Sequence, residues 1–408
     1  MKTVFKLYRS FSKISFVSAG NILSSLIGFL YLTAAAKTLT LEDFGKYSLI
    51  TSLLVSISKL IDFGTNSLYV AKSISSDNDE IKDFFYSLKV LLSVVTVPVS
   101  FIALKWLNVF DANTFILFTF GLVSYGVSYT LYALFQKNEM YSHLVAISLL
   151  PALIKGIVAT LLFTGLIQSS VNLLFGIFGL SIFSTIILFP LLPQQLRRFT
   201  FHTKNSFNML KEAISPGVSL MVYEAWPAVN NSIAKITSGF GDVGVFSLAN
   251  KISNIFYLIS ISIFTVLLPR NAARKKRKLN YDFKESATLA LLILIMSFAA
   301  VAIAETFVSN VFGEKFENSI GLLDILIFAS AITAIQNFIE NYFYVEQKTS
   351  YLGSINVIRL ITFLFLSFLF VPSSLLKGLA YANLTSAILG LLVTVTVIKK
   401  LEGKSVKI

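Results

Sequence analysis

The chain has 408 residues, 55% of them hydrophobic and only 13% charged, with a formal net charge of +13 and a mean hydropathy of +0.76. A soluble globular chain is about 25% charged, so that class is excluded, together with disordered, collagen-like and coiled-coil chains. Cysteine is absent, which rules out disulfides, Fe–S clusters, thiolate zinc and a Cys nucleophile. His143 and His202 lie on different segments without a second ligand at metal spacing, so neither a metal nor a cofactor is expected.

The apolar residues fall in long blocks, and a bilayer core takes about 20 such residues per helix. Twelve spans are predicted: 14–36, 47–69, 84–104, 114–135, 143–165, 171–193, 214–236, 245–268, 286–308, 320–345, 351–371 and 378–398. The first follows a basic stretch (Lys2, Lys6, Arg9, Lys13) and ends on Ala34-Ala35-Ala36, as a cleaved signal would. Its apolar run exceeds the 7–15 residues of a signal core, so it is read as a retained helix. The connections are too short to fold as separate domains, and no Gly-rich Lys-Ser/Thr nucleotide loop is present.

Lys and Arg gather at the amino terminus, in the even-numbered loops and at the carboxyl terminus, and are sparse in the odd-numbered loops. That asymmetry places both termini in the cytoplasm. It also accounts for Arg274-Lys275-Lys276-Arg277-Lys278 as a topology signal lying on anionic headgroups, so no nucleic-acid partner is expected.

Shifted by 199 residues, Asp43-Phe44-Gly45-Lys46-Tyr47-Ser48-Leu49 lies over Asp242-Val243-Gly244-Val245-Phe246-Ser247-Leu248 with four identities. Both copies precede an outer-face helix start, and six helices separate them. A weaker echo pairs Leu153-Ile154-Lys155 with Val357-Ile358-Arg359. The expected fold is an all-α integral membrane protein of about twelve helices, in two pseudo-symmetric six-helix lobes around a central cavity. The lobes are 1–193 and 214–408, joined by a cytoplasmic linker at 194–213. Thr40 and Asp43 have capping-box spacing, so the first copy of the motif is assigned mainly to structure.

The segment Leu39-Thr40-Leu41-Glu42-Asp43-Phe44-Gly45-Lys46-Tyr47 resembles the signature of polysaccharide and O-antigen flippases. These belong to the multidrug/oligosaccharidyl-lipid/polysaccharide exporter superfamily. Asp62-Phe63-Gly64, Gly244-Val245-Phe246-Ser247-Leu248-Ala249-Asn250-Lys251 and Leu268-Pro269 fit the same pattern. Lys72 stands where many relatives carry Arg. The resemblance implies a transporter rather than an enzyme, moving an undecaprenyl-pyrophosphate-linked oligosaccharide (an O-antigen or capsule repeat unit) across the bacterial cytoplasmic membrane by alternating access. It leaves open coupling to H+ or Na+ and cooperation with a polysaccharide polymerase and chain-length machinery.

Ionisable residues deep in the spans are the most informative feature. Lys59, Asp62, Lys155, Glu224 and Arg359 would each cost about 2.5–3.5 kcal/mol at a lipid-facing helix centre, so they must face a wet cavity or one another. Lys89, Lys235, Glu305 and Asp324 lie nearer helix ends, within snorkelling reach. Ser52, Ser56, Lys59, Asp62 and Asn66 form one helical stripe, and Asn21, Asn231, Asn250, Asn254 and Asn356 lie on comparable stripes. Lys59, Lys155, Lys251 and Arg359 are the candidates to meet a pyrophosphate, Arg359 by its two-pronged guanidinium. The competing reading for each cation is an ion pair, such as Lys59 with Asp62. Glu224, beside Trp226-Pro227, is the candidate to carry a proton or to hold sodium with Asn231, and pairing with a neighbouring Lys is the alternative. A multidrug antiporter for organic cations fits the excess of deep cations less well. A polymerase or glycosyltransferase would be expected to present a large outer loop.

Overall fold

The computed structural model describes residues 2–405 except 76–79, 199, 202, 257–258, 261–262, 264–266, 268–270, 272–273, 276, 278–280, 282, 347 and 349. His202, Leu268-Pro269, Lys276 and Lys278 lie outside the described residues. No strand occurs among the described residues. Nine described segments are long and apolar enough to cross a membrane. The last, Ser350–Glu402, is 53 residues long and covers two of the expected spans. Each of the twelve expected spans overlaps a described helix.

The chain divides into two compact units, Met1–Ser232 and Ile233–Ile408. The first holds α1 (Lys2–Thr38), α2 (Leu41–Asp62), α3 (Thr65–Ser75), α4 (Glu80–Trp106), α5 (Ala112–Lys137), α6 (Tyr141–Phe163), α7 (Val171–Phe183), the short α8 (Gln194–Arg197) and most of α9 (Thr203–Ser238). α1 lies closely on α6, because a Cβ at Gly20 or Gly156 would meet Val145 or Ile27 at 2.6 and 2.8 Å. Small residues are what permit such approach in membranes, where no hydrophobic drive separates helix from lipid.

α2 begins six residues before the expected span. Thr40, extended at φ −65° and ψ 165°, accepts from the Asp43 amide at 3.1 Å, and its hydroxyl donates to the Asp43 carboxylate at 2.8 Å. Glu42 and Asp43 add negative charge to the first turn, where the helix dipole favours it. Phe44, Tyr47, Ser48 and Leu49 are buried, so the motif forms the first turns of the helix and does not precede them. At the amino-terminal end of α5, Asp111 is the cap. Burial pushes its carboxyl up, but bonds from the Thr114 hydroxyl and amide, with Lys46 at 3.9 Å, more than offset this and hold it below its ordinary range.

The second expected span is two rods. α2 ends at Phe63, which lies in the left-handed region at φ 37°, followed by Gly64 at φ 71°, and α3 then resumes the path. Glycine adopts this conformation without steric cost, whereas phenylalanine does not. α3 is fixed by a buried cluster in which Tyr69 stacks on Phe85 at 4.3 Å and packs with Phe135, Leu188 and Met209.

The second unit holds α10 (Phe240–Ser253), α11 (Phe283–Phe312), α12 (Ile320–Ile339), the short α13 (Asn341–Val345) and α14 (Ser350–Ser405). Gly239, at φ 104°, leads into α10 at the position that Thr40 holds before α2. The second copy of the motif again forms the first helical turns, with Val243, Val245, Phe246, Ser247 and Leu248 buried. In α14 a single non-helical residue, Leu375 at φ 47°, breaks the run three positions after Pro372. The eleventh and twelfth spans therefore meet at a kink.

Candidate functional site

In the first unit the polar stripe of α2 is stitched to α4, α5 and α9. Asn231 of α9 donates to Ser52 Oγ at 3.0 Å and to the Ser48 carbonyl at 3.3 Å. One turn along α2, Ser56 Oγ donates to the Glu224 carbonyl at 3.0 Å, in the stretch of α9 that Pro227 loosens. Next, Lys59 Nζ lies 3.4 Å from Glu224 Oε1 and 5.1 Å from the centre of the Tyr129 ring. Tyr129 OH is 3.1 Å from Ser58 Oγ, its carbonyl accepts from Asn66 at 3.2 Å, and its ring lies 5.3 Å from that of Tyr125.

Asp62 closes the stripe. Its carboxylate accepts from the Asn66 amide at 3.3 Å and pairs with Lys89 of α4 at 3.6 Å. Lys89 also donates to the Ile61 carbonyl at 3.0 Å, and it is 4% exposed. This corrects the expectation that Lys89 reaches outward to the interface. α4 starts at Glu80, four residues earlier than the expected span, which carries Lys89 inward. A signal was available in the sequence, since Lys89, Ser93, Thr96 and Ser100 share one face of α4 at helical spacing, and the last two are buried. The carboxylates of Glu224 and Asp62 thus meet lysines of neighbouring helices, and the contact of Lys59 is with Glu224 and not with Asp62.

Of the expected site residues, Lys59, Asp62, Glu224 and Asn231 come together here. Asn21 lies elsewhere in the unit, on α1, where its side-chain oxygen accepts from Ser148 of α6 at 2.9 Å. Lys155 of α6 lies over the Phe178 ring of α7 at 3.9 Å. Such contacts give a cation an electrostatic partner in an apolar surrounding.

In the second unit Arg359, 9% exposed, donates through Nη2 to Thr333 Oγ1 of α12 at 2.7 Å. One turn beyond Thr333, buried Gln336 donates to Glu340 at 2.8 Å. A Cβ at Gly390 would stand 2.8 Å from Gln336 Oε1 and 3.0 Å from Arg359 Cδ, so that glycine makes room for the pair. Sequence reasoning marked Arg359 but did not identify Gly390 as its neighbour. Asn356 shares α14 with Arg359. Asn250 and Lys251 lie in the last turn of α10, and Asn254 follows as its cap, its amide donating to the Asn250 carbonyl at 3.1 Å. Among the described residues no cluster of His, Cys, Asp and Glu could hold a metal.

A helical chain of many apolar spans, with cross-helix cation–carboxylate pairs inside its first unit, is a multi-pass membrane protein. The sequence pattern of the polysaccharide biosynthesis protein family matches residues 10–273, and the chain belongs to that family. Among solved structures it is similar to the lipid II flippase MurJ in an inward closed conformation, with TM-score 0.74, 14% identity, and coverage of 94% of this chain and 87% of that one. It is also similar to a multidrug resistance MATE transporter of the MOP superfamily in an inward-facing conformation, with TM-score 0.71 and 14% identity over 93% and 96% of the two chains. The MATE transporter ClbM in complex with Rb+ matches at TM-score 0.61 and 16% identity over 94% and 93%. No curated protein sequence matches the chain. The resemblance to polysaccharide flippases of this superfamily, read from the Asp43-Phe44-Gly45 region, is borne out, as is the all-α membrane fold.

Proposed function

We propose that the chain is a flippase that carries an undecaprenyl-pyrophosphate-linked oligosaccharide, an O-antigen or capsule repeat unit, from the cytoplasmic to the outer leaflet of the bacterial cytoplasmic membrane. The observation that carries this reading is the family match over residues 10–273, joined to a fold similar to a lipid II flippase over 94% of the chain. Both termini lie in the cytoplasm on this reading, and the product passes to a polymerase and its chain-length machinery. Two six-helix lobes, 1–193 and 214–408, rock between inward- and outward-open states, with H+ or Na+ as the driving ion and Glu224 as its carrier.

Physical chemistry supports the assignment of cargo. A lipid diphosphate is multiply anionic, and its transfer off the interface is costly unless cations receive it. Lys59, Lys155, Lys251 and Arg359 supply them, and hydrogen bonds between charged partners are about twice as strong as neutral ones. Asn21, Asn250, Asn254 and Asn356, with the tyrosines of α5, suit hydroxyls and sugar ring faces, while Asp62 and Asn231, enclosed in their own contacts, hold the stripe of α2 in place.

Proteoliposomes with a fluorescent undecaprenyl-pyrophosphate oligosaccharide test this. The parent moves the lipid between leaflets, whereas Lys59→Ala, Lys155→Ala and Arg359→Ala, still folded, lose most of the rate. Movement surviving all three overturns the site. Movement of no lipid-linked glycan, with efflux of a cationic dye, supports the multidrug reading that the MATE-like fold also accommodates.

A further inference from the structure

The two ion pairs along α2 differ in kind. Lys89–Asp62 is sealed, with side chains 4% and 14% exposed, and a backbone carbonyl helps to hold the ammonium. Lys59–Glu224 is less enclosed, with 17% and 29% exposed at a separation of 3.4 Å, the difference lying mainly at Glu224. Glu224 is also held in place, because Ser56 grips its carbonyl and Asn231, two turns on, ties the same helix to Ser52. A partly exposed carboxylate on an anchored stretch of helix therefore stands against Lys59.

An ammonium has three donors but presents a compact point charge, so a carboxylate and a phosphate oxygen compete for it. We propose that Glu224 is a built-in counter-anion, which occupies Lys59 when the protein is empty and is displaced by the diphosphate of the cargo. The inference rests on the flippase reading above and adds a specificity role to it. A neutral or singly charged lipid gains too little at Lys59 to replace an anion already there, whereas a diphosphate gains enough, which is discrimination by an opposing element. Glu224 also lowers apparent affinity by keeping the receptive state a fraction of the total, and by re-forming its pair it speeds release.

The test is a binding titration of the full chain in detergent. Trp226, two residues from Glu224, serves as the fluorescent reporter after Trp106→Phe removes the other tryptophan. The probes are geranyl diphosphate and inorganic pyrophosphate. Glu224→Gln is expected to bind geranyl diphosphate about three- to tenfold more tightly than the parent, the scale of losing one partly exposed ion pair. Lys59→Ala binds it more weakly, with or without Glu224→Gln. Equal or weaker binding by Glu224→Gln, with the parent binding normally, overturns the counter-anion and leaves the flippase reading intact. No diphosphate binding by the parent overturns both. A gain with inorganic pyrophosphate alone overturns the lipid-linked cargo and assigns the site to free diphosphate. If Glu224→Gln does not fold, the reversed pair decides. Lys59→Glu with Glu224→Lys keeps cation and counter-anion and is expected to bind like the parent. Loss as deep as Lys59→Glu alone overturns the proposal.

Discussion

At the scale of residues, the deep charges in the first unit are arranged as cross-helix pairs rather than as a bare row of cations. Lys89 and Asp62 illustrate the consequence for stability. Removing one member of a sealed pair leaves the other buried and uncompensated, which costs about 3–5 kcal/mol. Lys89→Met is therefore expected to lower thermal stability in detergent by that amount, and Asp62→Asn in the same chain to restore most of it. A loss under about 1 kcal/mol in the single variant would show that water reaches Asp62. The sequence revealed that such charges need partners, because the cost of exposing them to lipid is large. It could not say which partners, since spacing along α2 places Lys59 near Asp62 while only packing brings Glu224 of α9 and Lys89 of α4 to them. Arg359 was legible for the same reason, and Gly390 was not, because a glycine opposite a guanidinium leaves no mark in hydropathy.

At the scale of elements, ten of the twelve expected spans fall on described segments apolar and long enough to cross a membrane, but some helix starts were read late. α2 and α10 open six and five residues before the expected limits: Thr40 caps α2 and lets Glu42 and Asp43 enter its first turn, and Gly239, at positive φ, turns the chain into α10 ahead of Asp242. The break at Phe63–Gly64 fell inside one expected span, because the polar residues around it were read as a stripe on a continuous helix. Gly217 of α9 bears on this break, and a Cβ there would stand 2.7 Å from the Phe63 carbonyl oxygen. Backbone cannot move aside as a side-chain tip can. Gly217→Ala should cost about 1–3 kcal/mol, the range for overpacking a tight contact, measured by thermal unfolding in detergent. Gly28→Ala, with open space at its Cβ, should change stability little and serves as the control.

At the scale of the whole molecule, the absence of cysteine makes orientation directly measurable, because one introduced thiol is the only one present. On the lysine and arginine asymmetry, the α5–α6 connection is expected inside and the α6–α7 connection outside. Asn138→Cys should react with an impermeant maleimide only after the cells are permeabilised, and Gln168→Cys should react in intact cells. The opposite pattern would invert the chain and reverse the direction of the proposed transport. The jointed second span adds a mechanical consequence. α2 is riveted to α9 by Asn231 and Ser56, while α3 is clamped in the aromatic cluster around Tyr69. Between two gripped rods the left-handed pair Phe63–Gly64 acts as a knuckle, and Gly217 presses on it like a stop. Bending of the second span is thereby confined to one defined point between the two gripped rods, and Met209 ties α9 to the lower rod as well.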